Sequence, residues 1–363
     1  MKPTHADFVV FGGGPAGSGA AIGLARQNAR VILFERGRSS QPKPGEIVEA
    51  SVQRPLRELG IWDDFLSLRS LRSAGTLSAW DSEQPFEASS IRNPWGGGFL
   101  IDRSAFEAFL LSKAQESGVR VVCGAAALEL TPPANGRRTV SWREACECFE
   151  ARPAMYIEAT GRGGGVTGPN RRERHDDLVA LLRYTRVERS DDRDLRLHIE
   201  AAADGWWYAA ALPHGVSVAA FLTDAHYVPS GSIARRQFFG DQMKATKLIR
   251  EGFGNAVTEH IRVAPANSSI RLQLNGSDWV AIGDAAAAYD PLAGLGVVAG
   301  LSKGVAIARL LTGEASAVSA SVRYAAIERQ SFQNYLAGRR SIYGRQDHWK
   351  DRPFWQQRTA VSI

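Results

Sequence analysis

Residues 7–17, DFVVFGGGPAG, restrict the fold more than any other stretch of this sequence. Four apolar residues, Phe8 to Phe11, run directly into a turn with glycine at 12, 14 and 17, and Pro15 opens a helical segment reaching about Asn28. A short unbroken apolar run is what a parallel strand covered on both faces requires. A second such run, RVILFER, contains Glu35, eighteen residues after Gly17. Strand, glycine turn, helix, strand and acid together make a dinucleotide-binding βαβ unit. Gly12 permits the tight turn, Gly14 lets the backbone approach a pyrophosphate, and Gly17 lets the helix pack close to the strand. The helix N-terminus, with Pro15 and Ala16 in its first turn, offers free N–H groups and a positive dipole end to the phosphates. Glu35 is placed to accept a hydrogen bond from a ribose 2′-OH, with Arg36 beside it. FAD and NAD share this motif, so the unit alone does not choose between them.

The 363 residues suffice for a large core, and 44 % hydrophobic with 23 % charged residues is the balance of a soluble globular chain. No apolar run near the N-terminus approaches the length of a membrane span or a secretory h-region, so no membrane partner and a cytoplasmic location are expected. A net charge of +6 arises mostly from scattered arginine, and no nucleic-acid-binding motif accompanies it, so no nucleic acid partner is expected. Cys123, Cys146 and Cys148 lack a second ligand pair, and neither a metal nor a structural disulfide is expected.

The choice of cofactor comes from residues 278–311, DWVAIGDAAAAYDPLAGLGVVAGLSKGVAIARLL. Trp279 to Ile282 reads as a strand, Pro291 to Gly296 as a tight loop, and Val297 to Leu311 as a helix. Here the chain resembles flavoproteins of the para-hydroxybenzoate hydroxylase type, whose second FAD motif is GDAAH…P…G.G. Gly283, Asp284, Ala285, Ala286, Pro291, Gly294 and Gly296 match it, and Ala287 replaces the histidine. The resemblance implies that Asp284 holds the ribityl chain or ribose, and that the loop including Leu295 lies against the isoalloxazine ring. A helix starting near Val297 would point its positive end at the flavin pyrimidine and stabilise the reduced anion. A third match, LIDRSAFEAFLLSKAQESGVRVV, contains Arg103 at a position where this family commonly touches the FAD. The resemblance therefore implies FAD as cofactor.

Hydroxylases that bind NADPH directly usually carry Asp-Gly where this chain has Ala159-Thr160-Gly161-Arg162. That departure leaves room for a separate flavin or NAD(P)H reductase as partner. ATGR resembles instead the branch of tryptophan halogenases and their relatives, as do GEIVEASVQRPLRELGIWDDF, HDDLVAL, GWWYAAALP and the aromatic C-terminus. The overall likeness is nearest to the flavoprotein maturases of cysteine tryptophylquinone enzymes, which implies oxygen transfer to a tryptophan in a partner polypeptide. Halogenases rely on a lysine after the first βαβ unit; the corresponding Ser70 to Trp80 contains none, and Arg72 falls nearest the place. Arginine stays protonated and cannot play that part readily. The WxWxIP signature of halogenases is also absent.

The expected fold is α/β: a doubly wound, glutathione-reductase-type FAD domain with an inserted antiparallel substrate sheet. Residues 1–75, 98–165 and 265–330 are assigned to the FAD domain, 76–97 and 166–264 to the sheet, and 331–363 to a helical, aromatic cap. GWWY is read as a sheet edge over the flavin, and Arg72, Trp207, Tyr208 and Asp290 are the candidates for the reactive pocket. The expected activity is an FAD-dependent monooxygenase acting on an aromatic or tryptophan-bearing protein substrate. A halogenase or small-aromatic hydroxylase, a prenyl-type flavin reductase and a non-catalytic flavin-binding assembly factor remain the alternatives.

Overall fold

A computed structural model describes residues 1–37, 43–68, 70–82, 84–89, 95–131, 138–186, 193–254 and 260–360. Its organising element is a five-stranded parallel sheet in the order Trp279–Ala281, Met155–Glu158, Phe8–Phe11, Val31–Glu35 and Arg120–Cys123. The strand that feeds the glycine turn is therefore central, and its carboxyl end opens where doubly wound sheets bind ligands. Alternation along this strand serves two layers at once. Phe8 and Val10 face the helices Pro15–Ala25, Arg103–Glu116 and Gly296–Gly313. Val9 and Phe11 face a meander of Ala126–Leu130, Val140–Glu144 and Glu147–Ala151, whose Trp142 packs edge-on against Phe34.

The helices Pro15–Ala25 and Gly296–Gly313 cross closely because their contact is made of small residues. A Cβ on Gly304 would lie 2.3 Å from Ala16 O and 2.6 Å from Ala20 N. This crossing brings both helix N-termini to the same end of the parallel sheet. Gly296–Gly313 has the length and apolar composition of a bilayer-crossing segment. In the fold it is a core helix, with Val298, Leu301, Val305 and Ile307 buried against its neighbours.

A second sheet of seven strands has the order Arg262–Pro265, Leu178–Arg186, Val216–Asp224, Gly205–Leu212, Arg196–Ala202, Gly75–Ala79 and Phe86–Ser89. All its pairings are antiparallel except that of Gly75–Ala79 with Arg196–Ala202. The strands come from the two stretches assigned to a substrate sheet, extended by Gly75 at one end and Pro265 at the other. Residues 83, 90–94, 187–192 and 255–259 of those stretches lie outside the described residues.

Two readings of the sequence need correction. GWWY is not a sheet edge: Gly205–Leu212 is the fourth of seven strands, paired on both sides and buried along its whole length. The continuous apolar run that lacks polar alternation is the sign of that central position. The proposed break at 331 falls inside one uninterrupted helix, Ala317–Tyr343. It packs on the parallel-sheet body through Tyr324, Ala325 and Phe332, and its last residue, Tyr343, sits in the core of the seven-stranded sheet beside Trp355.

Candidate cofactor and substrate site

A single cavity of about 1240 Å³ runs from the glycine turn, past the loop before helix Gly296–Gly313, to the inner face of the seven-stranded sheet. Ligand pockets commonly occupy about 300–1,000 Å³, so there is room for a dinucleotide and a second molecule. At one end stand Gly12, Gly14, Pro15, Ala16, Glu35 and Arg36. Gly12 has φ +103°, and a Cβ there would meet Ala159 O at 2.4 Å. A Cβ on Gly17 would lie 1.8 Å from Gly12 O; Gly17 itself is outside the lining and serves the packing of helix on strand. Gly14 is different, since nothing but Glu107 Oε1 comes within 4.0 Å of its Cβ position and the backbone lies open to the cavity. Glu35 Oε2 accepts from Gly13 N at 2.6 Å, which fixes the turn and holds the carboxylate at the cavity wall.

In the middle, Arg103, Gly283, Asp284, Pro291, Gly294, Leu295 and Gly296 all line the space. Arg103 is held by a two-point contact with Glu107, 3.0 and 3.1 Å, and Lys43 takes the other oxygen of Glu107 at 2.6 Å. Asp284 is partly exposed to the cavity, with Arg162 Nε 3.5 Å away. Arg162, from the ATGR segment, is itself anchored on Tyr289 O at 2.8 Å and on Asn267 O. Gly294 adopts φ +62°, the left-handed turn conformation in which glycine carries no steric penalty. The open backbone at Gly14 and Gly296, the acid at Glu35 and the two converging helix N-termini form a cradle that fits FAD.

The far end is apolar and aromatic: Ala180, Leu197, Ile199, Trp206, Tyr208 and Leu292 face inward. Of the four candidates for the reactive pocket, Tyr208 and Asp290 line it. Trp207 does not. Strand alternation turns it to the opposite face, where it stacks on Phe221 at 4.8 Å and meets Phe239 edge-on. Arg72 does not line the cavity either; its guanidinium lies over Phe99, 4.1 Å from the ring centroid, on an exposed side chain.

Asp290 does more than start the following turn. One carboxylate oxygen accepts from Leu292 N at 2.9 Å, and the other accepts from the Tyr343 hydroxyl at 2.7 Å. Tyr343 in turn accepts from Trp206 Nε1 at 2.9 Å. Burial, against the pull of the Tyr343 hydrogen bond, pushes the Asp290 carboxyl up to about 6. From the other side Tyr335 accepts from Asp290 N at 2.7 Å and bonds Ser268, which with Asp176 holds Arg339. One polar seam thus joins the loop Pro291 to Gly296, the long C-terminal helix and the seven-stranded sheet.

Glu46 and Glu49, both in the GEIVEA stretch, were not singled out by sequence and both line the cavity. Glu46 is 3 % exposed and accepts from Tyr184 and from Gly45 N. Burial raises the carboxyl of each above its usual range. Two acids flanking the apolar pair Ile47-Val48 were the available signal. Among the described residues no cluster of His, Cys, Asp and Glu has the makings of a metal site.

Residues 7–164 match the family described as FAD dependent oxidoreductase. Over 98 % of its length the chain is 27 % identical to LodB of Marinomonas mediterranea, described as an FAD-dependent oxidoreductase, and covers 97 % of that protein. Among solved structures, the myxobacterial chondrochloren halogenase CndH superposes with a TM-score of 0.85 at 22 % identity, covering 99 % of this chain and 87 % of CndH. QhpG, a peptidyl tryptophan dihydroxylase essential for tryptophylquinone cofactor biogenesis, superposes with a TM-score of 0.79 at 23 % identity, covering 98 % of this chain and 79 % of QhpG. At these identities the two structures speak to the fold.

Proposed function

We propose that this chain, which is similar to FAD-dependent oxidoreductases, is a monooxygenase that hydroxylates an aromatic ring, namely a tryptophan side chain carried by a partner protein. The observation that carries the reading is the shape of the cavity. Beyond the loop Pro291 to Gly296 it continues into an apolar chamber walled by Leu197, Ile199, Trp206 and Tyr208, suited to a flat aromatic group held dry. The tryptophan substrate named for QhpG supports the choice of ring, and the likeness to LodB over 98 % of the chain supports FAD-dependent oxidoreductase chemistry.

Reduced FAD, when bound, supplies the electrons that activate dioxygen and deliver one oxygen atom. The chain's own work is to bind and orient. Gly14 and the N-terminus of Pro15–Ala25 would hold the pyrophosphate, Glu35 the ribose, Asp284 and Arg103 the middle of the cofactor, and the N-terminus of Gly296–Gly313 the pyrimidine edge. The aromatic chamber excludes water and positions the ring. Both lysines in the lining are ion-paired, Lys43 with Glu107 at 2.6 Å and Lys303 with Glu328 at 2.5 Å. The proposal includes a separate reductase as electron source, a cytoplasmic location, and neither nucleic acid nor membrane as partner.

The test is incubation of the FAD-loaded protein with reductant, isotopically labelled dioxygen, halide and a tryptophan-bearing precursor. A mass gain of one or two labelled oxygen atoms on the precursor is expected. A halogen mass shift would instead establish halogenation, and no oxygen on any indole or phenol would overturn the reading.

A further inference from the structure

Besides Asp290, the cavity lining holds a second buried acid, Glu46. Glu46 sits where the segment after the second parallel strand passes under the seven-stranded sheet, and its carbonyl accepts from Ile101 N at 2.8 Å, which fixes the backbone. Its carboxyl is aimed at that sheet. Tyr184, on Leu178–Arg186, donates to Oε1, and Gly45 N donates to Oε2 at 2.8 Å. Tyr208, two strands across, lies close enough for the Glu46 charge to oppose ionisation of its hydroxyl. That hydroxyl faces the cavity and has no hydrogen-bond partner among the described residues. On the cofactor side Glu49 Oε1 lies 3.9 Å from the Cβ position of Gly294, so this segment reaches the flavin-side loop as well.

We propose that Glu46 is the catalytic base that takes the ring proton of the aromatic substrate, with Tyr184 as its positioning residue and Tyr208 as a hydrogen-bonding contact to the substrate. The inference rests on the monooxygenase reading above. One oxygen atom of dioxygen passes to a ring carbon, the O–O bond breaking as the C–O bond forms, while the hydrogen is still attached. Aromaticity returns when that C–H bond breaks, its electron pair re-entering the ring and its proton passing to the Glu46 carboxylate. The two electrons that carry the second oxygen atom to water come from the reduced flavin, and the Glu46 proton is later lost to solvent.

The groups facing Glu46 decide its behaviour with pH. Tyr184 and Tyr208 face it from the sheet and Arg103 acts on it from the helix Arg103–Glu116, with Arg262 behind Tyr184 and Glu49 on its own segment. Burial is the largest influence and raises the carboxyl, while Tyr184, the Gly45 amide and Arg103 act the other way. Such a group is poised nearer neutrality than an exposed glutamate, as a base working near neutral pH needs.

The experiment compares wild type with Glu46→Gln, Glu46→Asp and Tyr184→Phe, each loaded with FAD, on a tryptophan-bearing peptide carrying hydrogen or deuterium on the ring. General-base catalysis is typically worth about 10²–10⁴-fold. Glu46→Gln is therefore expected to lose roughly a hundredfold or more in kcat with peptide Kd unchanged by calorimetry, and to show a larger ring-deuterium effect than wild type. Glu46→Asp should recover part of the rate, and Tyr184→Phe should shift the acidic limb of the pH profile. A protonated-carboxyl band in infrared difference spectra, titrating in wild type and absent from Glu46→Gln, is the readout independent of turnover. Glu46→Gln that turns over at the wild-type rate with the wild-type pH profile overturns the assignment alone. Wild type that puts no oxygen on any indole or phenol overturns the monooxygenase reading and the assignment with it. Should Glu46→Gln fail to retain flavin, an unshifted profile in Glu46→Asp and Tyr184→Phe overturns the assignment in its place.

Discussion

Asp290 is a buried carboxyl with two donors, Tyr343 and Leu292 N, yet burial outweighs them and its titration moves from 3.8 to about 6. The folded protein thus binds this proton more tightly than the unfolded chain does. Its contribution to stability is complete below about 3.8 and is lost as pH rises through about 6. Asparagine cannot ionise, so the comparison of wild type with Asp290→Asn separates titration from the lost hydrogen bond. Between pH 4 and pH 8 the stability of Asp290→Asn relative to wild type should rise by roughly 3 kcal/mol at most, at about 1.4 kcal/mol per decade of proton affinity. Urea midpoints across that range read it, and a flat difference would show that burial does not govern this carboxyl. In the sequence Asp290 stands out only as a pocket candidate just before the loop Pro291 to Gly296; its partner Tyr343 lies 53 residues away along the chain, a pairing no local pattern carries. Trp206 and Trp207 illustrate the same limit. Two adjacent tryptophans must face opposite sides of a strand, but which one meets the cavity depends on the sheet's placement over the cofactor.

At the scale of elements, the legible part was the βαβ unit and the second glycine loop, because their glycines answer to backbone contacts that recur in such sites. The close crossing of Pro15–Ala25 with Gly296–Gly313 is the clearest case. A methyl group on Gly304 would meet the Ala16 carbonyl oxygen at 2.3 Å, where no rotamer change can relieve it. Gly304→Ala should therefore cost about 1–3 kcal/mol as overpacking and weaken flavin retention, since the strain falls on the turn that cradles the pyrophosphate. Gly313→Ala is the control, with nothing within 4 Å of its Cβ position and alanine favoured over glycine in a helix by about 1 kcal/mol. Flavin fluorescence released on heating, compared for the two variants, tests the crossing. Equal behaviour would mean that the helices can part without disturbing the site. The meander over Val9 and Phe11 was not separated out in the sequence reading, since its strands alternate polar and apolar much as an exposed hairpin does, and only packing shows which layer they cover.

At the scale of the whole molecule, the C-terminal helices fasten the seven-stranded sheet to the parallel-sheet body. Arg358, on Pro353–Thr359, makes a two-point ion pair with Asp224 at 2.5 and 3.1 Å, both side chains being 3 % exposed or less. Its guanidinium also lies 3.7 Å from the Phe354 ring centroid, and neighbouring Trp355 donates to Ala202 O at 3.0 Å. Removing one partner of such a pair leaves the other charge buried and uncompensated, typically costing about 3–5 kcal/mol, whereas replacing both by apolar groups is often neutral or better. Arg358→Met is thus expected to be strongly destabilising, and the double variant Arg358→Met with Asp224→Leu to recover much of the loss. Because the pair clamps the sheet rather than the cofactor cradle, the loss should appear first as protease sensitivity after Tyr343, at temperatures where the flavin is still bound. Flavin release coincident with that cleavage would show instead that the two sheets unfold as one unit, and that the C-terminal clamp carries the stability of the whole chain.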